Sequence, residues 1–322
     1  MFRIYYHNVS GFKKVDEGLV LEKFNPIAFD GLSEKGKGNI HSFHGSELRF
    51  CIEEPIELVL GSFGTSELMI YYGDYQGELY TFANEITLKI SPKFKESDIK
   101  KLLPFHRFHP SVIRVIFKES LIIKSLKGQT EIPDRRLMPN KKYLAYGTSI
   151  TQGRSSFLPD INYPLIIGEK LAYDTYNMGM SGSCYIEKIL VDQMLMNQFD
   201  LITLELSVNM IGDGFGVDVF EERLFYLLSQ IEQTQKNCLV IGMSVLDNWR
   251  MYGFDQNRGH KTDVLAFRDC FKAVISRFPN FIYIDGKDVL SKHHLSYDLI
   301  HPGHYGMIEI ANHIINVIEK TL

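Results

Sequence analysis

The stretch Lys142-Tyr-Leu-Ala-Tyr-Gly-Thr-Ser-Ile-Thr-Gln-Gly153 decides how this chain is organised. Its apolar run over residues 143–146 predicts a short buried strand, which Gly147 ends. Ser149 follows almost at once, so we expect its hydroxyl at the carboxyl edge of a sheet, where open α/β sheets bind their ligands. Ser149 is therefore the candidate nucleophile of the chain.

Strand and helix patterns alternate five times from this point onward. Strands are predicted at residues 143–146, 175–178, 201–206, 238–244 and 281–285, and helices at 163–171, 186–196, 219–234, 263–278 and 306–320. The strands are nearly uninterrupted apolar runs, which is typical of strands that are covered on both faces. Five such pairs predict a parallel sheet between two layers of helices.

The first 135 residues show a different pattern. Short runs rich in Ile, Val, Tyr and Phe are separated by turn signals such as 61–62 and 73–74, and one helical segment lies at 96–103. Strands are predicted at 48–52, 56–60, 68–72, 78–82, 86–90, 112–117 and 121–125. This spacing predicts an all-β, jelly-roll-like sandwich of low helical content over residues 1–135. Residues 128–140 resemble a linker, and a second domain is expected over 140–322.

Composition narrows the classes of partner. The chain has 322 residues, a hydrophobic fraction of 45% and a formal net charge of -4. We therefore expect no nucleic-acid partner and no membrane partner, while a homo-oligomer remains open. The first ten residues lack a basic region followed by an apolar one, so we expect no secretory signal and a cytoplasmic location. The four scattered cysteines are expected to be reduced thiols.

A serine nucleophile needs a base, and the best candidate lies near the end of the chain. Asp298 and His301 are three residues apart in Tyr-Asp-Leu-Ile-His-Pro-Gly-His, residues 297–304. A carboxylate at this spacing can hold one ring nitrogen and support the imidazolium that forms during proton transfer. Pro302 and the glycines around it place this segment in the loop before the last helix, at the same sheet edge as Ser149.

Two further loops at this edge offer hydrogen-bond donors for a developing oxyanion. Gly182 follows the second strand of the parallel sheet, and Asn209 follows the third. Together with the backbone N–H of Ser149, they would form an oxyanion hole. A backbone turn at Gly182 and a capping role for Asn209 are the alternatives.

These residues carry a resemblance to the SGNH (GDSL-type) hydrolases. Gly147-Thr-Ser149, Gly182, Asn209 and Asp298-x-x-His301 fall in the order of that family's four blocks, over about residues 143–322. The resemblance implies a three-layer α/β/α, flavodoxin-like domain, a Ser-His-Asp triad and an oxyanion hole completed by the Gly and Asn. It implies no cofactor. Thr148 departs from the family's Gly-Asp-Ser, and Met210 stands where Asp is common.

A second resemblance lies in the N-terminal part. The segment Tyr-Tyr-Gly-Asp-Tyr-Gln-Gly-Glu-Leu-Tyr, residues 71–80, is similar to a signature of the β-sandwich domain that precedes some SGNH esterases. This pairing implies a serine ester hydrolase that removes acetyl or other short acyl groups from a small-molecule or oligosaccharide ester. An acyltransferase that uses the same triad and an inactive carbohydrate-binding protein are the alternatives.

The loop at residues 246–262, after the fourth strand of the parallel sheet, is a candidate substrate loop. Its aromatic and basic residues are Trp249, Arg250, Tyr252, Phe254, Arg258 and His260. Exposed aromatic rings could stack on a sugar or line an acyl pocket, and equally could pin the loop to the protein; the basic residues could bind an anionic substrate. No set of ligands for a metal site is evident, so we expect no metal.

Overall fold

The computed structural model describes residues 2–254 and 258–321. Its strands are β1 (Tyr5–His7), β2 (Gly11–Val15), β3 (Gly18–Glu22), β4 (Ser42–Phe50), β5 (Ile56–Tyr72), β6 (Tyr75–Ile90), β7 (Ile113–Glu119), β8 (Leu121–Lys127), β9 (Lys141–Gly147), β10 (Tyr173–Gly179), β11 (Leu201–Glu205), β12 (Leu239–Met243) and β13 (Phe281–Ile284). Its α-helices are α1 (Pro26–Gly31), α2 (Glu34–Lys37), α3 (Glu96–Leu102), α4 (Ser149–Gln152), α5 (Tyr163–Lys170), α6 (Lys188–Met194), α7 (Val208–Gly212), α8 (Val217–Thr234), α9 (Lys261–Ile275) and α10 (His304–Thr321).

The first eight strands form one curled antiparallel sheet in the order β1-β4-β7-β5-β8-β3-β2, with β6 paired to β5. Strand β5 accounts for the curl, because its first half pairs with β8 and its second half pairs with β7. The β-rich character predicted for this region is confirmed, while the jelly-roll arrangement stays a prediction.

Strands β5 and β6 are longer than the sequence predicts. The predicted strands at 56–60 and 68–72 are one strand, as are those at 78–82 and 86–90. The predicted turn at 61–62 is wrong, because a register shift between Gly61 and Thr65 bends β5 without ending it. The predicted turn at Gly73 and Asp74 is confirmed as the hairpin that joins the two strands.

The low helical content predicted for the N-terminal part is confirmed, and the predicted segment at 96–103 is α3, but two further short helices were not predicted. Helices α1 and α2 are short and each begins at a capping side chain, Asn25 and Ser33 respectively. Such short helices carry too little periodicity to be read from sequence, whereas their caps satisfy the first backbone N–H groups. Helix α1 and its flanks pack Phe24, Ala28 and Leu32 into the same apolar cluster as the second sheet.

The second half of the chain is a three-layer α/β/α unit, as predicted. Its five strands are parallel in the order β10-β9-β11-β12-β13, which is the flavodoxin-like order. Helices α6, α8 and α9 contribute to the apolar cluster on one face, and α5 and α10 to the cluster on the other. Helix α7 was not predicted, because it has only five residues.

The chain passes from β8 to β9 over residues 128–140, which include a 3-10 turn at Arg135–Leu137. Buried polar contacts join the two sheets, chiefly between β4 and β10. Among the residues that the structure describes, none of the helices is both long enough and apolar enough to cross a membrane.

Candidate active site

The candidate nucleophile begins a one-turn helix at the carboxyl edge of the parallel sheet. Strand β9 ends at Gly147, the Thr148 hydroxyl caps the helix, and Ser149 is the first residue of α4. A side chain at position 147 would lie 2.1 Å from Oγ1 of Thr151 and 2.6 Å from the carbonyl oxygen of Glu205. Only glycine fits there, and the tight turn that results places the serine hydroxyl directly after the strand.

Ser149, His301 and Asp298 form a continuous chain of hydrogen bonds. Oγ of Ser149 lies 2.7 Å from Nε2 of His301, and Nδ1 of His301 lies 2.6 Å from Oδ2 of Asp298. The serine is 4% exposed and the histidine 9%. Because an ionised carboxylate only accepts hydrogen bonds, it assigns the ring proton to Nδ1 and leaves Nε2 to accept from the serine hydroxyl.

The loop around Asp298 holds its carboxylate ionised. Oδ1 accepts hydrogen bonds from the Ser296 hydroxyl and from the backbone N–H groups of Ile300 and His301, each at 2.9 Å. Burial opposes the ionisation of Asp298. The hydrogen bonds from the backbone and ring of His301 and from the Ile300 N–H outweigh this effect, and the pKa of Asp298 falls to about 2. The carboxylate can therefore orient the imidazole and support its charged form.

Gly182 and Asn209 lie at the same site. Both line a small cavity of about 120 Å³ together with Ser149 and His301. Gly182 has a φ of +68°, which side chains of L-residues rarely adopt. Oδ1 of Asn209 accepts a hydrogen bond from the Cys184 N–H at 3.1 Å, so the NH₂ of the amide is directed to the other side. The structure brings both residues to the serine; their oxyanion role stays a prediction.

Comparison of the sequence with models of protein families identifies the family of this chain. The model of a GDSL-like lipase/acylhydrolase family matches residues 140–319, which is more than half of the chain. The chain belongs to this family. No curated protein sequence matches it.

Solved structures share the fold of this GDSL-like chain over nearly its whole length. A salicylyl-acyltransferase from a tetracycline biosynthetic pathway is 14% identical, with a TM-score of 0.77 and coverage of 99% of this chain and 95% of that one. A family two carbohydrate esterase from Clostridium thermocellum, solved with cellohexaose, is 12% identical with a TM-score of 0.66, covering 99% and 98%. An acetyl xylan esterase from Butyrivibrio proteoclasticus is 11% identical with a TM-score of 0.59, covering 99% and 95%. These likenesses establish a shared fold.

The N-terminal part of this GDSL-like chain reaches the loop that carries Gly182. Asn39 donates from Nδ2 to the Ser181 carbonyl at 3.1 Å and to the Ser183 hydroxyl at 2.8 Å, and its Oδ1 accepts from the Ser181 N–H at 3.0 Å. These bonds fix the backbone on both sides of the glycine. Sequence reasoning missed Asn39, because nothing local marks a contact across about 140 residues.

A buried carboxyl beneath the nucleophile was also missed. Oε2 of Glu205 accepts from the backbone N–H of Thr148 at 3.0 Å, from its hydroxyl at 2.6 Å and from the Thr151 hydroxyl at 3.2 Å. Complete burial raises the pKa of Glu205 to about 7, although the Thr148 hydrogen bonds oppose this. The available signal was a single Glu within the apolar strand predicted at 201–206.

Some residues of the candidate substrate loop line the cavity beside Ser149, and others lie on the protein surface. Trp249 is only 1% exposed, so the prediction of an exposed stacking ring at this position is wrong. Trp249 and Arg258 both line the cavity beside Ser149. Tyr252 is half-buried outside that lining, while Phe254 is 54% exposed. Residues 255–257 of the loop lie outside the described residues. Across residues 2–254 and 258–321, no three His, Cys, Asp or Glu side chains converge as ligands for a metal.

Proposed function

We propose that the chain is a serine ester hydrolase that removes acetyl or other short acyl groups from a carbohydrate. The observation that carries the proposal is the hydrogen-bond chain from Ser149 through His301 to Asp298, at a cavity of about 120 Å³. Pockets for drug-sized ligands usually enclose about 300–1,000 Å³, so this cavity suits one short acyl group.

In the first half-reaction Oγ of Ser149 attacks the ester carbonyl while Nε2 of His301 takes the hydroxyl proton. Asp298 holds the opposite ring nitrogen and stabilises the imidazolium. The backbone N–H groups of Ser149 and Gly182 and the amide of Asn209 donate to the oxyanion. His301 then gives its proton to the departing sugar oxygen, which leaves an acyl-serine.

In the second half-reaction water attacks the acyl-serine. His301 takes a proton from the water, the carbonyl passes again through an oxyanion, and the proton returns to Oγ of Ser149 as the carboxylic acid leaves. No metal or cofactor is assigned a step. Residues 140–322 would carry the chemistry, and residues 1–135 would act as an accessory unit that braces the Gly182 loop through Asn39.

The carbohydrate part of the proposal rests on the domain pairing. The family membership supports ester hydrolysis, and carbohydrate esterases that share the fold over 99% of this chain support a carbohydrate substrate. The Clostridium thermocellum structure holds cellohexaose, which makes an acetylated oligosaccharide the first substrate to try.

The test measures acetate released from acetylated xylo-oligosaccharides and from 4-nitrophenyl acetate, with Ser149→Ala as the control for background hydrolysis. We expect the sugar ester to be cleaved faster at equal concentration, and 4-nitrophenyl octanoate to react poorly because the cavity is small. Acetate release no faster than from the Ser149→Ala variant would refute the esterase. Cleavage of the aryl ester alone would refute the carbohydrate substrate.

Acyl transfer is the second candidate, since the salicylyl-acyltransferase shares the fold with a TM-score of 0.77. The same acyl-serine would then pass its acyl group to a hydroxyl of an acceptor instead of to water. Adding free xylose or xylobiose during turnover distinguishes the two outcomes. An acylated acceptor formed at the expense of free acetate would favour the transferase, whereas acetate release that is unchanged by the acceptor favours the hydrolase.

A further inference from the structure

Three arginines line the cavity that contains the candidate nucleophile: Arg154, Arg250 and Arg258. None of the described residues that line it with them carries a carboxylate. Ester hydrolysis by a triad and an oxyanion hole needs backbone and amide donors and does not need guanidinium groups. The arginines therefore call for an explanation in terms of the substrate.

Two of these guanidinium groups converge on one point of the cavity wall. A side-chain carbon at Gly212 would lie 3.4 Å from Nη2 of Arg250 and 3.4 Å from Nη2 of Arg258. The absence of a side chain at this position keeps the space beside both nitrogens accessible. A pair of planar guanidinium groups in this arrangement is suited to an oxyanion such as a carboxylate, which accepts several N–H donors at once.

Arg250 is held rigidly for this task. It is 4% exposed, its Nε donates to the Arg258 carbonyl at 2.7 Å, and its Nη1 donates to Oδ1 of Asn248 at 3.3 Å. Its guanidinium stacks on Trp249 with a distance of 4.3 Å to the ring centroid. Burial and the charge of Arg258 lower the pKa of Arg250 to about 10, so it is still a cation at neutral pH.

The nearest described carboxylate does not neutralise this pair. Oδ1 of Asp213 lies 3.8 Å from Nη2 of Arg258, but it also accepts from Lys35 at 2.5 Å, and Oδ2 accepts from the Tyr185 hydroxyl at 2.6 Å. Asp213 is thus shared between Lys35 and Arg258, and Asp263 acts on Arg250 only from beyond ion-pair distance. Arg154 also lines the cavity. Among residues 2–254 and 258–321, the wall beside Ser149 is therefore positive.

We propose that the ester cleaved at Ser149 carries an anionic group, and that this group binds between Arg250 and Arg258. The inference rests on the proposed function for the location of the ester, and it extends that function by giving the substrate a charge. The anion belongs either to the alcohol, as in an acetylated uronic acid, or to the acyl group, as in a half-ester of a dicarboxylic acid.

Two pairs of esters that differ only in charge test the proposal and separate these sources. On the alcohol side, 3-acetoxybenzoate is compared with 3-acetoxybenzamide; on the acyl side, mono-4-nitrophenyl glutarate is compared with 4-nitrophenyl glutaramate. The measured quantity is the ratio of kcat/KM for the carboxylate to kcat/KM for the carboxamide. We expect a ratio of about ten or more for one pair, since a charge-assisted hydrogen bond from arginine is worth about tenfold or more.

Arg258 is the arginine to substitute, because its side chain is 63% exposed whereas Arg250 is only 4% exposed. Arg258→Gln should reduce the ratio about tenfold and Arg258→Lys should restore part of it. Arg136→Gln, which alters an exposed arginine far from the cavity, should keep the full ratio. Gly212→Ala, whose methyl group would lie 3.4 Å from Nη2 of both arginines, is the second variant, should the first fail to fold, and it should also reduce the ratio. Ratios near one for both pairs, or a ratio that Arg258→Gln leaves unchanged, would overturn the proposal.

A binding measurement keeps the result separate from catalysis. Calorimetry on Ser149→Ala compares 3-hydroxybenzoate with 3-hydroxybenzamide, alone and combined with Arg258→Gln. If the wild-type protein cleaves none of the four esters, tighter carboxylate binding that requires Arg258 would support the anion site and reject the hydrolase. Equal binding of both compounds, in a protein that cleaves both neutral and anionic esters at equal rates, would retain the hydrolase and reject the anion site.

Discussion

Arg49 on β4 and Asp174 on β10 form a buried two-pronged ion pair that joins the two sheets. Nη1 of the arginine lies 3.1 Å from Oδ2 of the aspartate and Nη2 lies 2.7 Å from Oδ1, and both side chains are 1% exposed. Nε of Arg49 also donates to Glu47 at 2.7 Å. Burial opposes the ionisation of Asp174, but Arg49 outweighs it and lowers the pKa of the carboxyl. The sheets are thus docked through charges that must remain paired.

Breaking this pair should destabilise the whole chain. Asp174→Asn keeps the shape of the side chain but leaves part of the Arg49 charge uncompensated, so we expect the free energy of unfolding to fall by about 3–5 kcal/mol in urea titrations. Glu57→Gln removes the half-buried partner of the exposed Lys127 and should change little. Equal stability of Asp174→Asn and wild type would contradict the role given to the pair.

Asn39 offers a test of how the N-terminal part serves the active site. Asn39→Ala removes the bonds to Ser181 and Ser183, so the Gly182 N–H is no longer held in place. We expect kcat for ester hydrolysis to fall about tenfold or more with little change in KM, since the oxyanion exists only in the transition state. Asn312→Ala, on the exposed face of α10, is the matched control. An unchanged kcat would show that the loop needs no such support.

The role of Asp298 can be separated from its effect on folding. Asp298→Asn preserves the size of the side chain but removes the acceptor that fixes the tautomer of His301, so we expect kcat to fall by about 10³–10⁴. Thermal unfolding should change far less than activity. Asp269→Asn, an exposed position on α9, controls for the substitution itself. Activity within about tenfold of wild type would mean that another group supports the imidazolium.

Glu205 predicts a pH dependence of stability. Its pKa is about 7 in the folded state against an ordinary value of 4.5, so the folded state holds the proton more tightly. The stability it contributes is complete below about pH 4.5 and is lost as the pH rises through about 7, by roughly 3 kcal/mol.

Glu205→Gln should remove this dependence while retaining an acceptor oxygen for Thr148. Urea unfolding at about pH 5 and about pH 8 should therefore show a smaller loss of stability for the variant than for wild type. Glu319→Gln, at an exposed position on α10, should follow wild type. Parallel curves for Glu205→Gln and wild type would mean that Glu205 is ionised in the folded protein at both pH values.

Strand ends explain why sequence reasoning located Ser149, Gly182, Asn209 and His301. Each follows an apolar strand or precedes the last helix, and the carboxyl ends of parallel strands meet at one edge of a sheet. Asn39 and Glu205 lack such a marker. Asn39 acts across a sequence separation of 142 from Ser181. Glu205 lies within the strand predicted at 201–206, and no local pattern marks its complete burial.

The sequence predicts that the N-terminal part is rich in β-strands, but it does not predict where β5 and β6 end or which strands pair. Strand β5 continues past Gly61 because β8 and β7 pair with its two halves, and such tertiary pairing overrides a local turn signal. The apolar residues around α1 likewise pack on the second sheet, to which no sequence pattern assigns them.

Labelling with a fluorophosphonate tests the central claim most directly, because this reagent reacts preferentially with a serine hydroxyl that a neighbouring base activates. The folded protein is labelled, digested and mapped by mass spectrometry, with His301→Ala as the control in which the base is absent. We predict one adduct, on Ser149, that disappears in the His301→Ala variant. No adduct on folded wild-type protein, or an adduct on another serine such as Ser183, would contradict the account.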